Sequence, residues 1–185
     1  VVLAGTPKQI KTALENWTDG AIVSYGMLKE TKTKTGLIDT IINMAPEAVI
    51  LDEAHRIKSR KAAITKAVFK LITVPVRLAL TGTPAPNKTY EIWCILHFLY
   101  PNQFKSYWPF IEEYFIKIQR SNPRTHQRYY DIGAFKSKAK EVELQQILSQ
   151  ISVQRKRKDI MQWLPEKDYN PIELGVSKEQ SKYLE

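Results

Sequence analysis

Two adjacent carboxylates follow an apolar segment in the first third of the chain. Residues 48–55 read AVILDEAH, so Asp52 and Glu53 come directly after a run of apolar residues and shortly before His55. A buried parallel strand that ended there would deliver both acids to the carboxyl edge of a sheet, where α/β proteins hold their ligands. Acids at that edge suit Mg²⁺ beside a nucleotide phosphate. Asp52 could hold the ion through water, while Glu53 orients or deprotonates the attacking water.

Small hydroxyl residues follow a second apolar segment. Residues 77–80 run into Thr81 and Thr83, whose hydroxyls could sense a phosphate or bind the acidic pair. The interval between the two motifs has room for one crossover helix, which would make the two strands neighbours. Local roles are also open, because either threonine could cap the following turn. His55 could couple the site to its surroundings or only hydrogen-bond a neighbouring strand end.

The elements that must position these groups alternate between strands and helices. Short runs rich in Val, Ile and Leu predict strands at residues 1–4, 21–24, 48–51 and 77–80. Apolar residues at helical spacing predict crossover helices at residues 8–15, 37–43 and 61–72. This alternation is typical of an α/β fold with a parallel sheet and right-handed crossovers. Because residues 48–51 show no polar alternation, we expect that strand to be central and covered on both faces.

The chain changes character after Pro101. Residues 103–120 mix aromatic and charged side chains, and residues 121–136 contain Pro123 and Gly133. These features predict a mostly helical insertion with an irregular hinge, followed by a second helix. We therefore expect three parts: a partial sheet domain, a helical protrusion and an extended terminal segment, at residues 1–101, 102–152 and 153–185.

Composition restricts the partners and the compartment. The 185 residues carry a net charge of +9, which favours a polyanion, either nucleic acid or an anionic membrane surface. No apolar run approaches the roughly 18 residues that span a bilayer, and no secretory leader is evident. The single cysteine, Cys94, excludes an internal disulfide and suits a reducing compartment, either bacterial or phage cytoplasm or a nucleus. Nothing in the sequence indicates an oligomer.

The two motifs resemble those of superfamily-two helicases. VILDEAHRIK at 49–58, a DEAH box, and LALTGTPAPN at 78–87 are similar to helicase motifs II and III, and most like those of Swi/Snf-type DNA translocases. Further similar segments follow in the order of that family, at residues 24–28, 91–93, 153–167 and 177–184. The resemblance covers nearly the whole chain, and ordered motifs at this spacing are more specific than any one of them.

The resemblance implies a RecA-like first motor lobe that hydrolyses ATP with Mg²⁺ to move along double-stranded DNA. In that family the acidic pair serves the ion and the attacking water, and the motif III threonines link hydrolysis to DNA contact. The matching residues are Asp52, Glu53, Thr81 and Thr83. The segment that contains Ser24 and Tyr25 lies near the DNA backbone in such lobes, which makes these two residues weaker candidates for phosphate contacts.

Two parts of such a motor are missing from the sequence. A P-loop needs Gly followed by Lys, and none of the seven glycines here is followed by Lys. A second RecA-like lobe could supply an arginine finger, which contributes a factor of roughly 10³ to 10⁵. We therefore expect a portion of a larger motor with little or no ATP turnover by itself. The alternative is a non-catalytic DNA-binding or interaction module, although the intact acids Asp52 and Glu53 favour the motor.

Two other groups of residues could contact DNA. Arg155 and Arg157 belong to a basic cluster that could bind phosphates or form a solvated helix face. The aromatic residues around Tyr107 and Trp108 could stack on bases, but their helical spacing favours a place in the core of the protrusion. For a protein that follows the duplex backbone, phosphate contacts should dominate and affinity should fall steeply with salt.

Overall fold

Among the described residues of the first hundred, the strands form two parallel pairs. The computed structural model describes residues 2–3, 9–10, 12–13, 20–29, 37–155 and 170. Strand β1 (Val2–Leu3) pairs with β2 (Ile22–Val23), and β3 (Ala48–Leu51) pairs with β4 (Val76–Ala79). The predicted parallel pairing of the two motif-bearing strands is confirmed, although β4 begins one residue earlier than predicted.

Short helices lie between these strands. Helix α1 (Tyr25–Leu28) follows β2, α2 (Ile38–Asn43) precedes β3, and α3 (Ala63–Phe69) connects β3 to β4 through a 3₁₀ turn at Lys70–Thr73. The predicted helices at 37–43 and 61–72 are confirmed in shorter form. Of the helix predicted at 8–15, the four described residues are helical. In α3 the residues at helical spacing are buried, as an amphipathic crossover requires: Thr65, Ala67 and Val68.

Helix α4 (Trp93–Leu99) forms much of the core beside β4. A 3₁₀ turn at Thr89–Ile92 leads into it, and five of its seven residues are buried. Trp93 and Cys94 are among them. The Arg77 side chain on β4 donates hydrogen bonds to backbone carbonyls at the end of α4. This contact fixes the helix against the strand.

One face of the β3–β4 pair is exposed. Within the described residues β3 pairs with β4 alone, and Ile50 and Leu78 are 60% and 50% exposed. The expectation of a central strand covered on both faces is therefore not met in this part of the chain. The unbroken apolar run of β3 has a different basis, because only one side of the strand packs against the core.

The insertion contains a β-hairpin that the sequence analysis did not predict. Helix α5 (Tyr107–Tyr114) leads into β5 (Phe115–Ser121), which pairs in antiparallel fashion with β6 (Arg128–Phe135), and α6 (Lys138–Ile151) follows. The two helices agree with the predicted helical insertion, but the prediction of an irregular hinge at 121–136 is wrong. Aromatic and β-branched residues in β5 and β6 suit a pleated surface, and this composition outweighed the turn signals.

The hairpin is closed by a turn and a close strand approach. The Asn122 side-chain oxygen accepts hydrogen bonds from the backbone N–H groups of Arg124 and Thr125, at 2.9 and 3.2 Å. This local pattern is typical of asparagine in turns. A Cβ atom at Gly133 would lie 3.1 Å from Cδ1 of Ile118 on the opposite strand. Glycine therefore leaves room for the Ile118 side chain at this position.

The chain forms two compact units, Val1–Leu144 and Gln145–Glu185. The elements from β1 to β6 belong to the first unit. No helix in the described ranges is both long enough and apolar enough to cross a membrane. The predicted division at residues 101 and 152 stays a prediction.

Candidate functional site

The ends of β3 and β4 meet at one edge. Leu51 is in register with Ala79, and the ladder continues past the strands, with the Leu80 N–H donating to the Leu51 carbonyl at 2.8 Å. The Ala54 N–H then donates to the Leu80 carbonyl at 2.9 Å. Asp52 directly follows β3, and Thr81 follows Leu80 at the end of this ladder, so the two predicted motifs are adjacent, as the sequence indicated.

The acidic pair occupies a strained turn at this edge. Asp52 Oδ1 accepts a hydrogen bond from the Glu53 N–H at 2.9 Å. Glu53 has φ 49° and ψ 49°, the left-handed region, which costs a non-glycine residue about 1–2 kcal/mol. Both acids are exposed. Strain held by surrounding structure is common at functional sites, and here it turns the chain sharply from β3 into the next element.

Buried contacts hold that next element, a 3₁₀ turn at Ala54–Ile57. Both terminal residues of the turn are fully buried, whereas His55 between them is partly exposed. The Thr65 hydroxyl on α3 donates to the Ile57 carbonyl at 3.2 Å. The Cys94 thiol on α4 donates to the Lys58 carbonyl at 3.4 Å, and burial raises the pKa of this thiol to about 12. The acidic motif is therefore anchored from two helices.

His55 connects the two motifs. Its Nδ1 atom lies 3.1 Å from Glu53 Oε2 and 3.3 Å from Thr81 Oγ1. Because a carboxylate only accepts hydrogen bonds, Nδ1 carries the proton when it bonds Glu53. Thr81 Oγ1 also accepts the Thr83 N–H at 3.2 Å, so Thr81 caps the turn and contacts His55 at the same time. Capping of the turn by Thr81 and contact between Thr81 and His55 therefore do not exclude each other.

Tyr25 also belongs to this edge. Its hydroxyl donates to the Asp52 carbonyl at 2.8 Å, across 27 residues of sequence. Burial and the nearby Asp52 carboxylate raise the pKa of Tyr25 to about 12, so the hydroxyl stays protonated and able to donate. The sequence suggested a DNA contact for Tyr25 and gave no sign of this bond. The structure gives the hydroxyl a partner at the acidic pair.

The other DNA-contact candidates are Ser24, Arg155 and Arg157. Ser24 is exposed at the start of α1, and its side chain makes no capping hydrogen bond to that helix. Arg155 is exposed and has no acidic partner in the described part of the chain. Arg157 lies outside the described residues, as do most residues of the segments at 153–167 and 177–184.

The donor set fits a magnesium ion that arrives with a nucleotide. Mg²⁺ is usually held by one or two carboxylates, with water and substrate phosphates completing its shell. Two exposed carboxylates, Asp52 and Glu53, provide that number at a strand end. Among the described residues there is no cluster of three or more Asp, Glu, His or Cys side chains that could hold a metal alone. The site therefore suits Mg²⁺ only in company with phosphate.

The parallel strand pairs and the helices between them define a mixed α/β protein, with acids and hydroxyls at one edge of the β3–β4 pair. The comparison with protein families is more specific. The model of the SNF2-related domain matches residues 1–185, and the chain belongs to this family. The resemblance to Swi/Snf-type proteins that the motifs indicated is thereby confirmed.

Several relatives are ATPases or helicases by name. The chain is 28% identical over 165 residues to the ISWI chromatin-remodeling complex ATPase CHR17 of Arabidopsis thaliana, a match that covers 89% of this chain and 13% of the relative. It is 32% identical over 135 residues to mouse chromodomain-helicase-DNA-binding protein 6, covering 73% of the chain and 4% of the relative. Human chromodomain-helicase-DNA-binding protein 7 is 29% identical over 141 residues, covering 76% and 4%. The chain thus spans a small part of each relative.

Proposed function

We propose that this chain is the acidic-box portion of an ATP-dependent motor that moves along double-stranded DNA. The observation that carries the proposal is the position of His55 Nδ1, within hydrogen-bonding distance of both Glu53 and Thr81. Membership of the SNF2-related family and the names of the relatives support the same function. A net charge of +9 suits a DNA partner.

The acids divide the work of hydrolysis. ATP with Mg²⁺ supplies the phosphoryl group and neutralises part of its charge. Asp52 would hold the ion through water, and its Oδ1 is already oriented by the Glu53 N–H. Glu53 would orient the attacking water and accept its proton. The His55 N–H beside Glu53 Oε2 fixes that carboxylate and leaves its other oxygen for the water.

The threonines would transmit the state of the site. Thr81 touches His55 through its hydroxyl and the Thr83 backbone through the same oxygen. A change in the hydrogen bonding of His55 therefore reaches the loop after β4 directly. We propose that this link couples hydrolysis to the DNA contact made by that loop.

The whole motor requires parts outside this sequence. We propose that the parent protein supplies a P-loop strand and helix and a second RecA-like lobe, and that the 185 residues alone do not hydrolyse ATP. The names of the relatives include chromatin remodelling, which favours a nuclear protein. The bacterial or phage cytoplasm has no support among the relatives described above.

An ATPase assay tests the proposal in two arms. The isolated chain, with saturating ATP, Mg²⁺ and duplex DNA, should show no turnover above that of an Asp52→Asn control. In the parent protein, Glu53→Gln should lower DNA-stimulated turnover by about 10²- to 10⁴-fold, the usual contribution of a general base. Glu47→Gln provides a matched control, because Glu47 is an exposed acid at the opposite end of β3.

The same assay decides between the motor and the non-catalytic module. A wild-type parent that binds duplex DNA but shows no DNA-stimulated turnover would support the module and refute the motor. Turnover by the isolated chain that Asp52→Asn abolishes would refute the division of the site between segments. An equal loss from Glu47→Gln and Glu53→Gln would show that the assay reports stability, and the role of Glu53 would be wrong.

A further inference from the structure

A cleft lies outside the acidic pair and its contacts. A cleft of about 510 Å³ is bounded by the loop at 58–61, the 3₁₀ turn before α4, the start of α5 and strand β6. Here it is called the aromatic cleft. Its walls contain Tyr107, Trp108, Tyr129 and Tyr130, none of which takes part in the acidic pair or its contacts.

The rings in this cleft face solvent. Trp108, Tyr129 and Tyr130 are 39%, 50% and 51% exposed, so the placement of Trp108 in the core of the protrusion is wrong. Helix α5 divides its aromatic residues between two sides, because Phe110 and Tyr114 are buried whereas Trp108 lies at the cleft. Exposed rings grouped in one concavity mark a binding surface rather than a fold requirement.

The Trp108 and Tyr130 rings contact each other, whereas the Tyr129 ring has no aromatic or cationic partner among the described residues. The Trp108 and Tyr130 rings meet edge to face, with centroids 6.3 Å apart. The Lys117 ammonium lies 4.6 Å from the Tyr130 ring centroid and 5.3 Å from that of Trp108. In the described residues Tyr129 makes no ring or cation contact. One ring is therefore free to stack on a flat ligand beside two that are already held.

The loop at residues 58–61 contributes positive charge to the cleft. Lys58, Arg60 and Lys61 line it, and none has an acidic partner among the described residues. The Arg60 guanidinium lies 4.4 Å from the Tyr107 ring centroid, which places a second flat, positively charged surface in the cleft. An acid on the facing strand, Asp131, is neutralised by Arg120 at 3.3 Å. Apart from Glu91, the unpaired charge of the cleft is positive.

We propose that the aromatic cleft binds a short segment of single-stranded DNA. Bases would stack on Trp108, Tyr129 and Tyr130, and phosphates would contact Lys58 and Lys61, the combination used by single-strand binding sites. Duplex DNA is a poor occupant, because its bases are stacked on each other and present only edges in the grooves. An acidic peptide would satisfy the lysines but leave the exposed rings without flat partners. The inference goes beyond the proposed motor and does not depend on ATP chemistry.

A binding experiment on the 185-residue chain tests the stacking. Fluorescence anisotropy at low salt would measure the affinity for a labelled ten-residue oligothymidylate and for a duplex of equal length. Tyr129→Leu and Trp108→Leu should each weaken oligothymidylate binding about five-fold or more, the loss typical of one stacked base. Duplex affinity should stay unchanged. Tyr100→Leu is the matched control, because Tyr100 is 39% exposed but lies outside the cleft.

Two lysine substitutions, one inside and one outside the cleft, test the proposed phosphate contacts. Lys61→Ala should reduce the magnitude of the slope of log affinity against log salt by about 0.7, the value for one phosphate contact on a single strand. Lys66→Ala, an exposed lysine on α3 outside the cleft, should leave the slope unchanged. Equal effects of the two substitutions would overturn the assignment of phosphate to the cleft.

Other outcomes would also overturn the inference. One is the absence of oligothymidylate binding at low salt. Another is an equal loss of oligothymidylate affinity from Tyr100→Leu and Tyr129→Leu. A third is a loss of duplex affinity from Tyr129→Leu that equals its loss of oligothymidylate affinity. Competition by polyglutamate that is equally sensitive to Tyr129→Leu would instead indicate an acidic protein partner. Circular dichroism would check folding, and if Trp108→Leu unfolds the chain, the exposed Tyr129 decides. Asp52→Asn should leave oligothymidylate binding unchanged, which separates this test from that of the motor.

Discussion

Replacing Arg77 with methionine should strongly destabilise the chain. The Arg77 Nε and Nη2 groups donate to the carbonyls of Phe98 and Leu99 at 2.8 and 2.9 Å, and Nη1 donates to the carbonyl of Val74. Phe98 and Leu99 are the last residues of α4, where backbone carbonyls lack intrahelical partners and the negative end of the helix dipole lies. A single side chain on β4 therefore satisfies the end of α4 and fixes the strand that leads to Thr81.

The magnitude follows from the number of bonds. A hydrogen bond that involves a charged group contributes about 1.5–3 kcal/mol, and a neutral one about 1 kcal/mol. Because Arg77 is partly exposed, water can replace some of its bonds, and we use the lower value of about 1 kcal/mol for each. Arg77→Met, which keeps the apolar stem, should lower the free energy of unfolding by about 2–4 kcal/mol. Arg77→Lys should cost less, because an ammonium can keep some of the hydrogen bonds, but it should still lower stability because it cannot reproduce the fork.

Urea denaturation followed by circular dichroism measures these differences. Arg56→Met is the matched control, because Arg56 is exposed and has no acidic partner among the described residues. It should change the free energy of unfolding by less than about 0.5 kcal/mol. A loss below about 1 kcal/mol for Arg77→Met, or a loss equal to that of Arg56→Met, would refute the reasoning that Arg77 holds α4 on β4.

Two other substitutions test the acidic turn and the buried thiol. Glu53→Gly should raise the free energy of unfolding by about 1 kcal/mol, because glycine adopts a φ of 49° without strain. The same substitution removes the proposed base. An equal gain from Glu47→Gly in urea denaturation would contradict this. Burial raises the pKa of Cys94 from 9.0 to about 12, so the unfolded chain loses this proton first and stability falls as pH rises from 9 to 12. Cys94→Ala should flatten that fall by at most about 1.4 kcal/mol per pH unit, and equal slopes for both proteins would exclude the thiol as the cause.

The sequence alone determined the site edge and the family. The apolar runs before Asp52 and Thr81 predicted two strands, and the helix-length interval between them predicted that they are parallel neighbours. Motif spacing indicated the Swi/Snf-type resemblance that the family comparison confirmed. These features are local, because the period of apolar residues reports the type of an element and the residues after a strand must lie at its end.

Only the tertiary structure decided which distant groups meet. The bonds of Tyr25 to Asp52 and of Arg77 to Phe98 and Leu99 end on backbone carbonyls, which every residue carries, so no sequence pattern can mark the acceptor. The hairpin was missed because its strand composition competed with turn residues. The aromatic cleft combines segments from residue 58 to residue 132, and their approach depends on how the elements pack. Packing of elements is a property of the whole chain, since each contact depends on the volume and shape of all its neighbours.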